Sequence, residues 1–247
     1  LAAAPRTKNF PREAELLPWG KHRGEDFAAC AEDFFQVLIS SVSLITAIPS
    51  RISIVSATTR ICPRSMKQHV LPILLLAVVC GIVFGQVGGF DFVYYDDPVY
   101  VSENAALEDG LTPSVVVYAF TTKEANLWHP LAWISHALDI TMFKFEAGKH
   151  HLMSLALHIV NVALTYLLCH LVARSWGASR PVAVALVAAG LFAWHPLHVE
   201  SVAWLSERKG VLSTTFALLS ILLYMRGGTA ARWLSVLAFV LALMAKP

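Results

Sequence analysis

Three groups of residues have types and spacings that could do chemistry. The first is the run Tyr94-Tyr95-Asp96-Asp97. Two adjacent carboxylates repel each other, and partial loss of hydration raises one pKa, as a general base for a hydroxyl group requires. The same run also reads as a solvated loop turning at Asp97-Pro98. The second group is His151, Ser154, His158, Asn161 and Thr165, whose spacings of 3, 4, 3 and 4 place all five on one helix face. Such a stripe either lines a polar cavity or makes the hydrogen bonds that join helices. The third is His195-Pro196-Leu197-His198-Val199-Glu200, followed by Ser206-Glu207-Arg208-Lys209. His195 and His198 stand three apart, but there is no HExxH and no clear third ligand, so no metal is assigned. Arg208 and Lys209 suit a phosphate group, or an ordinary charge pair with Glu207 at an interface.

The elements that must position these groups follow from composition. The chain has 247 residues, of which 56% are hydrophobic and 15% charged, with a mean hydropathy of +0.59. A soluble domain carries about 25% charge. The deficit leaves whole windows without an ionised side chain, which excludes a disordered chain, a disulfide miniprotein and an ordinary cytosolic enzyme. Nucleic acid is not an expected partner, because there is no basic stripe and the segment 88–150 holds nine acids against three bases. Cys30, Cys62, Cys80 and Cys169 lack CxxC spacing and read as small core residues.

Apolar periodicity predicts an all-α, multi-pass transmembrane bundle with spans at 70–87, 151–173, 181–197, 211–225 and 233–247, the last cut by the chain end. Arg60, Arg64 and Lys67, then Arg174 and Arg180, then Arg226 and Arg232 alternate onto one side, which the positive-inside rule makes cytoplasmic. The N-terminus is therefore expected inside, and the loops 88–150 and 195–210 outside. The long loop should carry two short helices lying on the membrane surface. One covers 114–120, opened by Thr112-Pro113; the other covers 131–143, with Leu131, Ile134, Leu138 and Met142 on one apolar face. Residues 1–65 contain no methionine and only a short apolar stretch at 34–48, and read as an upstream or mis-called extension without assigned function. The domain proper is expected over 66–247.

The runs Phe92-Val93-Tyr94-Tyr95-Asp96-Asp97, Trp128-His129-Pro130-Leu131, His150-His151 and His195-Pro196-Leu197-His198-Val199-Glu200-Ser201-Val202-Ala203-Trp204 resemble the membrane half of bacterial TPR-containing relatives of the transmembrane and TPR-repeat O-mannosyltransferases, within the wider GT-C class. The resemblance spans about 66–247 and implies an N-terminal fragment, with further helices and a TPR array beyond it. It implies an enzyme of a membrane such as the bacterial inner membrane, moving a mannose-like sugar from a polyprenyl-phosphate donor to protein hydroxyls on the outer face. No cofactor is implied beyond that donor; the partners are membrane lipid and an acceptor protein. On this reading Asp96 or Asp97 activates the acceptor. Arg208 and Lys209 hold the lipid phosphate, and His151, His158, His195, His198 and Glu200 contribute to substrate binding. One departure is Gly210, where the family pattern has an aspartate. The alternative is a non-catalytic anchor for a TPR interaction array; a transporter would need paired ionisable residues at mid-membrane, where the spans hold only histidines.

Overall fold

The computed structural model describes residues 63–123 and 127–247, and every regular element among them is helical. The expected extension over 1–65 lies almost wholly outside the described residues.

Helix α1 (Pro63–Phe84) is apolar from Val70 onward yet buries only a narrow stripe, His69, Leu76, Cys80 and Phe84. Its other faces present large apolar side chains outward, with Leu71 and Ile82 at 74% and 76% exposure. A tight turn, Gly85–Gly89, then crosses the head of a later helix. The crossing is so close that a Cβ at Gly148 would collide with the Gly88 carbonyl oxygen. Only glycine fits there.

The segment that follows is more than a loop with two adhering helices. A wide turn at Pro98–Ser102, α2 (Pro113–Thr121) and α3 (Pro130–Phe143) enclose a core of Tyr100, Val101, Leu107, Val115, Ala119, Trp133, Ala137 and Ile140. Local signals start both helices. The Thr112 hydroxyl accepts from the Val115 N–H at 3.4 Å, and Pro113 and Pro130 occupy first-turn positions where a missing N–H costs nothing. Gly110 (φ +75°) leaves no room for a Cβ against Thr141, whose hydroxyl accepts from Leu111 N–H at 2.7 Å. On α3 the expected apolar stripe (Leu131, Ile134, Leu138, Met142) splits, with Ile134 packed against this core and its C-terminal half turned away. Leu138 and Met142 are exposed, while Trp133, His136, Asp139 and Ile140 are buried.

Helix α4 (Ala147–Ser175) has 29 residues, about 44 Å of rise. Helix α5 (Pro181–Ala193) returns along it on Ala185, Ala189 and Ala193, small residues that let two backbones approach. The predicted span 181–197 stops short because Pro196 has no N–H to donate and disfavours helix at His195. After α6 (His198–Ala203) and the turn Leu205–Glu207 come α7 (Arg208–Arg226) and α8 (Thr229–Ala245). Gly227 and Gly228, at φ 73° and 86°, make the hairpin between the last two, and Ser220 Oγ donates to the Ser235 carbonyl at 2.8 Å across it.

Of the five predicted spans, two coincide with helices long and apolar enough to cross a membrane, Gln68–Gly89 and Ala147–Ser175. Helices α5 and α8 are apolar but have 13 and 17 residues. Thirteen residues rise about 20 Å, against a hydrocarbon core of about 30 Å.

Candidate functional site

Two polar constellations meet where the segment 90–143 rests on the heads of α4 and α7. The deeper one centres on Arg208, the first residue of α7, with its side chain fully buried. Nη1 pairs with Asp139 Oδ2 at 2.5 Å and reaches Ser135 Oγ at 3.4 Å; Nε donates to Ser154 Oγ at 2.9 Å, and Nη2 to the His150 carbonyl at 2.6 Å. This single side chain thus ties α3, α4 and α7 together. Burial raises the Asp139 carboxyl above its ordinary value, against the pull of Arg208. Next to it, His150 Nε2 lies 2.7 Å from the Lys144 carbonyl and Nδ1 3.6 Å from Asp139 Oδ2.

Above this centre is an aromatic stack. Tyr100 lies flat on Trp133 with centroids 4.9 Å apart, and His129 stacks on both at 5.5 and 5.1 Å. Lys209 Nζ sits 4.9 Å over the Tyr100 ring, donates to the Ser206 carbonyl at 3.0 Å and pairs with Glu207 at 3.2 Å. Burial, then the nearby Asp96 and Glu207 charges, push the Tyr100 hydroxyl up to about 12, so it stays protonated at neutral pH. Burial and then Lys209 bring the His129 ring down to about 4, leaving it neutral.

The second constellation is the carboxylate pair, which the fold splits. Asp96 is half-buried, whereas Asp97 is fully buried at the start of the wide turn. Asp97 Oδ2 accepts from the Val93 N–H at 2.8 Å. Burial raises the Asp97 carboxyl; the backbone of Val93, the His151 ring and the Ser206 backbone pull the other way, and Asp96 adds to the rise. Tyr94 and Tyr95 are 88% and 75% exposed, so an exposed aromatic surface lies beside the half-buried Asp96.

The sequence-predicted residues therefore divide. Asp97 and His151 are brought together, and Lys209 stands nearby over Tyr100. His158, His195 and His198 gather elsewhere: the His158 and His198 centroids are 5.0 Å apart, those of His195 and His198 6.5 Å, and His158 and His198 both lie against Phe192. Glu200 is exposed on α6.

The surroundings of three expected binding residues differ from an open site. Arg208 is fully buried in this arrangement, with Nε, Nη1 and Nη2 directed at the internal acceptors Ser154, Ser135, Asp139 and the His150 carbonyl. His151 and His158 do not line an open cavity. They bond the Asp91 and Ala193 carbonyls at 3.3 and 3.0 Å, while Asn161 donates to Val211 O at 2.9 Å and accepts from Thr215 at 2.7 Å. The polar stripe of α4 serves interhelical bonding at these positions.

The residues not singled out for a role are His129, Trp133, His136, Asp139 and His150. A usable signal existed, since His136 and Asp139 interrupt an apolar helix at a spacing of three.

Described residues whose regular elements are all helical, with two membrane-length helices and a buried acidic site at the head of α4, define a broad class, and the sequence comparisons narrow it. No family model matches the chain, and no solved structure does. Over 120 residues the chain is 37% identical to Protein O-mannosyl-transferase Tmtc1 of Drosophila melanogaster, covering 48% of this chain and 13% of that protein. Over 117 residues it is 32% identical to Protein O-mannosyl-transferase tmtc2 of Xenopus laevis, covering 44% and 13%. The relationship is distant, and the matched region is about 13% of the length of each relative. Both are animal proteins, so the expected bacterial origin is not carried forward.

Proposed function

We propose that the chain is the N-terminal portion of a multi-pass membrane glycosyltransferase. It moves a sugar from a polyprenyl-phosphate donor to a protein hydroxyl on the exoplasmic face, with its N-terminus cytoplasmic. The distant similarity to two proteins named as O-mannosyl-transferases supports the reaction class. The placement of Lys and Arg supports the orientation. The observation that carries the site is Asp97: a buried carboxyl held by the Val93 amide, with the Ser206 backbone and the His151 ring also acting on it and burial raising its pKa. An acceptor hydroxyl arriving past Tyr94 and Tyr95 donates to this carboxylate, and the raised pKa lets it take the proton. Asp96, half-solvated, orients the acceptor. Lys209 remains the cation for the donor phosphate, with Glu207 as its internal competitor; Arg208 becomes the strut that holds the platform in place.

The test is Asp97→Asn and Asp96→Asn in the full-length protein, with sugar transfer and membrane insertion both measured. General-base catalysis contributes about 10²–10⁴-fold. Asp97→Asn should lose transfer on that scale with normal insertion, and Asp96→Asn should lose less. Normal transfer by Asp97→Asn would refute the assignment and favour a non-catalytic anchor.

A further inference from the structure

Helix α3 carries His136 and Asp139 one turn apart, and the first turn of α4 brings His150 against both. One ligand atom from each residue lies within 4.8 Å of the other two, and all three side chains are buried. The hydrogen bonding around them is incomplete in a specific way. His150 Nε2 faces the Lys144 carbonyl at 2.7 Å. A carbonyl only accepts, so the proton of the neutral ring is on Nε2 and Nδ1 carries a lone pair. That lone pair faces a carboxylate oxygen at 3.6 Å, leaving two acceptors opposed with no proton between them. His136 is fully buried, and neither of its ring nitrogens has a hydrogen-bond partner among the described residues. Buried polar atoms of native proteins are nearly always satisfied, so this concentration of orphaned nitrogens calls for a ligand.

We propose that His136, Asp139 and His150 form a binding site for a divalent transition-metal ion of the zinc type, clamping α3 to the head of α4. A cation placed among the three is shared by lone pairs that otherwise repel. Two imidazoles and one carboxylate make a three-ligand zinc set, with a fourth position for water. Bonds of about 2.0–2.1 Å in a tetrahedron put ligand atoms about 3.4 Å apart, close to the 3.6 Å between His150 Nδ1 and Asp139. Arg208 already balances the Asp139 charge, so the site selects on nitrogen bonding rather than on net charge. Zinc and cobalt are therefore favoured over magnesium and calcium. Metal binding at this place does not depend on transferase activity.

The test uses the full-length protein purified in detergent and stripped with a chelator. Titration with Co²⁺ should give about one equivalent per chain, with a ligand-field spectrum showing nitrogen donors. Zn²⁺ should displace the Co²⁺, and a large excess of Mg²⁺ should not. His136→Gln and His150→Gln should each weaken Co²⁺ binding more than about 10-fold, while His129→Gln, in the neighbouring aromatic stack, should retain it. The wild-type spectrum reads the donor set even where a variant fails to fold. No Co²⁺ bound by the wild type, an oxygen-only spectrum, or full binding by the folded double variant overturns the site.

Discussion

The platform (90–143) and the helix bundle it rests on bury different mixtures of residues. The platform hides its largest and most polar side chains, Trp133, Tyr100, His136, Asp139 and, reaching up from α7, Arg208. The bundle packs small residues, Ala185, Ala189 and Ala193 of α5, against a few large ones of α1 and α4, Leu76 and Tyr166, and turns Leu71 and Ile82 outward. A water-soluble domain orders these the other way, with large apolar residues inside and charges outside. In the membrane proposed for this bundle there is little to gain by moving leucine inward, so close backbone approach and polar satisfaction decide what is buried. The platform follows the same logic where it rests on the bundle, because Leu138 and Met142 of α3 face outward and Asp139 inward.

The sharpest way to break this contrast is to unbalance the platform's charge centre. Arg208→Met leaves Asp139 buried without its partner and should cost about 3–5 kcal/mol. Thermal unfolding in detergent should show it severely destabilised, with the double variant Arg208→Met/Asp139→Leu recovering much of the loss. Equal damage from single and double variants would mean that shape rather than charge holds the platform.

A smaller effect probes the bundle. Gly148→Ala forces α4 away from the Gly88 carbonyl and should cost about 1–3 kcal/mol, the range of overpacking. Gly81→Ala, with nothing within 4 Å of the added Cβ, is the control and should be neutral or slightly stabilising. If the two variants melt alike, close backbone approach is not what the small residues provide.

The smallest effect lies at the seam. Folding raises the Asp97 pKa, so the folded state holds that proton more tightly than the unfolded chain does. The associated stability is complete below the ordinary aspartate range and is lost as pH rises through the elevated value. Relative to Asp97→Asn, the wild type should therefore become less stable across that window, by at most about 1.4 kcal/mol per pH unit. Parallel pH–stability curves for the two proteins would contradict a buried, reluctant carboxylate.

Helix starts were legible because their causes are local: Thr112 as a cap, and Pro113, Pro130 and Pro181 in first turns. The α4 stripe was legible as one face for the same reason, since spacing alone determines it. The charge centre was not. Arg208 and Asp139 are 69 positions apart, and an arginine beside Lys209 in a predicted outer loop has the same local signature whether it meets a phosphate or a buried aspartate. Asp97 shows the same limit in miniature. Its identity as a candidate was readable from adjacency to Asp96, but which of the two is buried depends on a turn that folds back onto α3.

The reach of Arg208 also sets a timetable for biogenesis. A ribosome adding about 5–20 residues per second makes Arg208 about 3–14 seconds after Asp139. Through that interval the nascent chain holds a carboxylate whose cation does not yet exist, on a segment that must already have left the cytoplasm under the proposed topology. The platform is thus finished by the arrival of α7 rather than by its own synthesis. A pause or mutation that delays α7 leaves the acid exposed to whatever surveys unassembled membrane proteins.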